Sequence, residues 1–121
     1  TAGFVDRWYD RLINIHPSLL PSYKGLDTHR RVLEDGLRLT GCTVHFVRSD
    51  MDAGPIIVQA AVPVHDNDDE DTLAARVLAA EHYCYPLAVR LIAEGRVRVV
   101  DERVTIVGAI APGDFLINPM I

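Results

Sequence analysis

INIHPSLLPSYKG, residues 13–25, joins a short apolar run to a proline-rich loop, and the fold turns on how it is read. Leu12 to Ile15 form a continuous apolar run apart from Asn14, which reads as a buried strand. Pro17 and Pro21 keep helix out of the segment that follows, because each lacks a backbone N–H and restricts the residue before it. A strand that ends in a polar loop is where α/β proteins place their chemistry. Asn14 and His16 are two residues apart, so an extended backbone points both to one side. An amide donor and an imidazole can there face one small group, as a developing oxyanion requires. A strand end with a capping Asn and a hydrogen-bonded structural His would show the same spacing.

Working outward, TAGFVDRWYDRL (1–12) carries Phe4, Val5, Trp8, Tyr9 and Leu12 at helical spacing, with Thr1 as its cap. DTHRRVLEDG predicts a helix capped by Asp27 or Thr28 and stopped by Gly36. CTVHFV (42–47) and PIIVQAAVPV (55–64) predict strands. The loop RSDMDAG between them is too short for a crossover, so the pair is antiparallel. Residues 66–95 predict a long helix whose acidic start suits the positive end of its dipole. Leu73, Val77, Ala80, Cys84, Leu87 and Leu91 form its apolar stripe, and Pro86 predicts a kink. RVRVVDERVTIVG predicts a strand, a turn and a strand.

The bulk numbers describe one ordinary domain: 121 residues, 49% hydrophobic and 24% charged. A net charge of -5 with no basic patch argues against nucleic acid as a partner. The chain has no signal-peptide pattern and no apolar run near the roughly 18 residues of a membrane span. Cys42 and Cys84 lack metal-type spacing and read as reduced core thiols of a cytoplasmic protein.

NIHPSLLPSYKG, GCTVHFV, DMDAGPII and AAEHYCYP, in that order, resemble the folate-dependent phosphoribosylglycinamide formyltransferases of purine synthesis, over residues 1 to 100. The resemblance implies an α/β, formyltransferase-type fold. Within it, this chain would be the C-terminal half of a mixed sheet flanked by helices, with residues 101–121 as a C-terminal strand and tail. It also implies roles. His16 would act as the acid on the formyl oxygen. Asn14 would hold that oxygen as it becomes anionic. Asp52 would pair with His16 and favour its charged form, or order a water that relays protons. Arg48, Ser49, Asp50, Met51 and Asp52, with Asn14, would surround the folate, mostly through backbone groups. Leu78, Ala79, Ala80 and Glu81 would form the glycinamide ribonucleotide segment, with Glu81 on the substrate amine. The co-substrate would be 10-formyltetrahydrofolate, with no metal.

Helical geometry supports one of these roles independently. At about 100° per residue, Glu81 falls at the rim of the apolar stripe and His82 faces solvent. A boundary salt bridge would occupy the same position. His45 reads as structural or as support for the site, His29 as a helix-start residue and His65 as a surface residue. A metal reading of His16, His45 and Asp52 lacks the i, i+4 pair of a zinc helix. Ser18 and Ser22 have no activating partner.

The Gly-rich phosphate loop that the resemblance implies is absent from these residues. The expectation is that an N-terminal nucleotide-binding half is missing and must be supplied as a partner, or that the chain self-associates through an uncovered face. Two related readings share Asn, His and Asp. Formyltetrahydrofolate deformylase passes the formyl group to water. Methionyl-tRNA formyltransferase has an Arg-Gly-Ala-Ala-Pro run where this chain has YKGLDTH. A reading of another class is an inactive half-domain that serves as a binding or assembly module.

Overall fold

The computed structural model describes residues 1–121. In chain order the elements are α1 (Ala2–Arg7), β1 (Ile13–His16), α2 (Thr28–Glu34), β2 (Leu39–Phe46), β3 (Ile56–Pro63), α3 (Glu70–Ala93), β4 (Val97–Val100) and β5 (Arg103–Ile106). β1, β2 and β3 form one antiparallel sheet in that order, and β4 and β5 form a separate hairpin.

Register decides which residues share a face. Asn14 lies opposite His45, His16 opposite Thr43, and Thr43 opposite Gln59. Because side chains alternate along a strand, these five point away from α3. Ile13, Ile15, Cys42, Val44 and Phe46 point toward it, where Leu73, Val77, Cys84 and Ala88 complete the core. The ladder slips at Val44/His45, with Val44 opposite Val58 and His45 opposite Ile56, so Ile57 has no partner of its own and joins the core. Cys42 and Cys84 are free, buried and 3.9 Å apart at sulfur, so the core bridges β2 and α3 through two thiols.

Several expectations are corrected. α1 is capped by the Thr1 side chain but ends at Arg7 rather than Leu12. Trp8 closes the helix at φ -104°, and Asp10 adopts φ 58°, outside helical space, although the apolar spacing continues to Leu12. β1 spans 13–16 instead of 12–15 and is an edge strand with Ile13 and Ile15 half-buried, not a buried one. Asp27 occupies the N-cap position of α2 without capping it; its carboxylate takes Arg30 at 3.0 Å instead. Gly36, at φ 70°, follows the helix end as a stop should.

The long helix starts at a capping box between Asp69 and Thr72 and runs unbroken through Pro86. Its buried stripe is Leu73, Val77, Cys84, Ala88 and Leu91; Ala80 and Leu87 flank it half-buried. The boundary drawn at residue 100 falls at the β4–β5 turn, where Asp101 and Glu102 both take positive φ. No helix is long and apolar enough to cross a membrane.

Candidate active site

Two loops converge on the face of the sheet that carries Asn14 and His16. The first, residues 17–27, is fastened to β2 by Thr43. The Thr43 hydroxyl donates to the Ser18 carbonyl at 2.7 Å and accepts from the Leu20 N–H at 3.1 Å. Gln59 donates to both Thr43 Oγ1 (3.0 Å) and the Leu20 carbonyl (3.1 Å). Ser18 is fully buried and donates its hydroxyl to the Ser22 carbonyl at 2.6 Å, so it braces the loop and is no nucleophile.

His16 is buried at the end of β1. Its Nε2 is 2.9 Å from the Tyr23 carbonyl, which can only accept, so Nε2 carries a proton. Tyr23 is held in turn. It sits at φ 55°, donates its hydroxyl to Asp35 at 2.6 Å and lies under Arg31 at 5.5 Å. Nδ1 of His16 is 3.5 Å from Asp52 Oδ1, within ion-pair reach but beyond a good hydrogen bond. The other Asp52 oxygen accepts the Gly25 N–H at 2.9 Å, which ties the two loops together. Asp52 adopts φ 50°.

The Asp52 loop folds back tightly, since a Cβ on Gly54 would stand 1.7 Å from the Phe46 carbonyl oxygen. Asn14 is exposed, its amide open to a ligand beside His16. Across the ladder, His45 is buried with Nδ1 2.8 Å from the Phe46 carbonyl, and its Nε2 has no protein partner.

Glu81 approaches from the other face. It is half-buried on α3 in a hollow with Ile15, Leu78, His82, Tyr85 and Pro86. Burial pushes its carboxyl above the ordinary glutamate value, while the positive charges of His82 and His16 pull it back. Within the segment 78–81, Leu78 and Glu81 line the hollow, Ala79 is exposed and Ala80 packs against the core. His82 is exposed.

In the segment 48–52, Ser49, Asp50 and Met51 are exposed. The Arg48 side chain turns away from that surface, onto Asp10 at 2.7 Å and Glu102 at 2.8 Å. No three His, Cys, Asp or Glu side chains are grouped to hold a metal ion.

The sequence reading brought Asn14, His16 and Asp52 together and missed what holds them: Tyr23, Thr43, Gln59, Tyr9, Asp10 and Glu102. Thr43 alternates with His45 on β2, a signal that could have found it. The Tyr23 contact is made by a backbone carbonyl, which no residue type announces.

Comparison with known proteins identifies the family. The formyl transferase family profile matches residues 1–89. Over 99 residues the chain is 50% identical to phosphoribosylglycinamide formyltransferase of Escherichia coli K12, covering 82% of this chain and 47% of that protein. It is 55% identical over 99 residues to the trifunctional purine biosynthetic protein adenosine-3 of Gallus gallus, covering 82% of this chain and 10% of that protein. A crystal structure of phosphoribosylglycinamide formyltransferase from Anaplasma phagocytophilum superposes with TM-score 0.88 at 47% identity, covering 92% of this chain and 55% of that one. The chain therefore spans about half, or less, of the length of the proteins it matches. With most of its length inside the family profile and its backbone superposing on a solved member, this chain belongs to the formyl transferase family.

Proposed function

We propose that this chain carries the formyl-transfer site of a phosphoribosylglycinamide formyltransferase, moving the formyl group of 10-formyltetrahydrofolate to the amine of glycinamide ribonucleotide. The observation that carries the reading is the exposed Asn14 amide beside His16, with Asp52 at 3.5 Å from His16 Nδ1. Half identity to an enzyme of that name supports it.

The substrate amine attacks the formyl carbon, a C–N bond forms, and the carbonyl pair moves onto oxygen. The Asn14 N–H and a protonated His16 Nδ1 stabilise that oxyanion, which gains most from donors already in place. Because Nε2 is committed to Tyr23, Nδ1 is the atom left to face the oxygen, with Asp52 beside the same nitrogen at 3.5 Å as counter-charge. The amine loses a proton, N10 of the folate gains one, and the intermediate collapses as the C–N10 bond breaks and tetrahydrofolate leaves. The chain's own residues need form no covalent intermediate. Glu81 holds the amine end of the acceptor from across β1. The loop 48–52 lies against the folate through its backbone.

In the complete enzyme, His16→Ala and Asn14→Ala are each expected to lower kcat about 100-fold, as loss of one oxyanion donor does. The double variant should lose less than the product of the two, because the groups act as a unit. Product analysis checks the acceptor: formylated ribonucleotide supports the reading, whereas free formate with no amine product would make water the acceptor. Single variants that keep the parent kcat would remove Asn14 and His16 from the reaction.

A further inference from the structure

The loop that carries Asp52 is anchored at its start by a residue whose partners come from two distant turns. Arg48 is nine-tenths covered. Its guanidinium lies 3.8 Å over the Tyr9 ring. Nη2 donates to Asp10 Oδ1 at 2.7 Å, and Nε and Nη2 reach the two Glu102 oxygens at 2.8 and 3.1 Å. The Tyr9 hydroxyl donates to Glu102 Oε1 at 2.6 Å and closes the ring of contacts. Tyr9 and Asp10 belong to the turn after α1. Glu102 belongs to the β4–β5 turn, beyond residues 1–89 that match the family profile.

This arrangement exceeds an ordinary surface ion pair. A forked, stacked and covered arginine is the geometry in which charge-assisted hydrogen bonds hold best. Burial works against the Arg48 charge, but the hydrogen bonds to Glu102 and Asp10 outweigh it and raise its pKa above the ordinary arginine value. Asp10 and Glu102 both stand at φ 58°. Non-glycine residues keep such backbones where their surroundings over-determine them. Glu102 also lines a hollow with Asp52, Lys24 and Gly54. The far end of the loop is pinned separately, where Gly54 presses on the Phe46 carbonyl.

We infer that Arg48, clamped by Glu102 of the β4–β5 turn, is a positioning residue for the loop 48–53, setting where Asp52 and the backbone of residues 49–51 stand. What the loop holds, the folate, rests on the formyl-transfer reading above. A released Arg48 frees only the entry end of the loop and leaves α3, with Glu81, in place. The hairpin thereby governs the folate side of the reaction and not the amine side.

The test compares Arg48→Ala and Glu102→Gln with the parent in the intact enzyme. Gln at 102 keeps the size and backbone of the glutamate but sets an NH2 group against an Arg48 donor. Two readouts are taken: amide hydrogen exchange, and KM for each substrate. Both variants should speed exchange in residues 48–53 while α3 is unchanged. They should also raise KM for 10-formyltetrahydrofolate about tenfold, within the range that small misplacements produce, with KM for glycinamide ribonucleotide unmoved. Unchanged loop exchange in both variants would overturn the inference. So would an equal rise in both KM values, or a lower Tm with no split between them. A parent enzyme without formyl transfer would remove the functional reading alone, and the exchange of residues 48–53 would still decide whether the clamp holds the loop.

Discussion

At Glu81 the proposed amine site meets the stability of the fold. Its carboxyl is raised above the ordinary glutamate value of 4.5, by burial first, against the pull of His82 and His16. A raised acid keeps its proton longer in the folded chain than in the unfolded one. Stability therefore falls as pH climbs from 4.5 through the folded value, and above that the whole cost of ionisation is carried. Glu81→Gln removes this cost. It should unfold at a higher temperature than the parent at neutral pH, with the advantage gone once the pH is below 4.5. The same variant should raise KM for the acceptor amine about 10-fold or more, since a hydrogen bond to a charged group is lost. An advantage in Tm that survives in acid would mean that packing, and not charge, explains it. The rim position of Glu81 was legible from the helical period. The partners of Arg48 were not, because they lie 38 and 54 residues away and no local pattern links them.

At the scale of elements, α3 organises the core. Its capping box sets where the helix begins, and five buried side chains set which face meets the sheet. The second effect is the larger. Loss of a capping side chain costs about 1 kcal/mol, whereas truncating a fully buried leucine costs about 2–5 kcal/mol because a cavity remains. Leu73 has no exposure, so Leu73→Ala is expected to lower the free energy of unfolding in urea by about 3 kcal/mol or more. A loss below about 1 kcal/mol would show that the site collapses around the smaller side chain. α3 was legible from its helical period, and β2 and β3 from their apolar runs and the short loop between them. α1 was overread because its apolar spacing continues to Leu12 past a break made by backbone conformation at Asp10. The run at β1 reads as a buried strand because a short continuous apolar run does not reveal whether a second strand lies alongside.

The molecule as a whole buries less than its composition suggests. Hydrophobic residues make up 49% of the chain, yet 21 of 121 residues are buried. Large apolar side chains stay exposed on α3 (Leu78, Tyr83, Tyr85, Val89) and in the C-terminal segment (Ile110, Phe115, Leu116, Ile117, Met120, Ile121) as well as at the start of the chain. α1 buries nothing, Phe4 on it and Trp8 and Tyr9 just after it are exposed, and β1 pairs on one side only. Exposed apolar side chains and an unpaired strand edge are surfaces that associate. The 121-residue chain by itself is expected to sediment with a concentration-dependent mass above the monomer, and Phe4→Ser with Trp8→Ser should lower that mass. A monomer at every concentration, or a double variant that associates as the parent does, would clear α1 of the role. The formyl transferase resemblance was legible from four short motifs. An uncovered face followed from that resemblance, whereas the exposure of Phe4, Trp8 and Tyr9 did not, because exposure is not written in residue type.

The two core sulfurs carry a last consequence. Alkylating reagents capture thiolate, and burial above all, then the neighbouring sulfur, pushes the Cys42 thiol up to about 12. Cys42 and Cys84 meet across β2 and α3, so a reagent reaches them only while sheet and helix stand apart. The pace at which alkylation proceeds is then a stopwatch for breathing between those two layers, built from side chains the molecule already has.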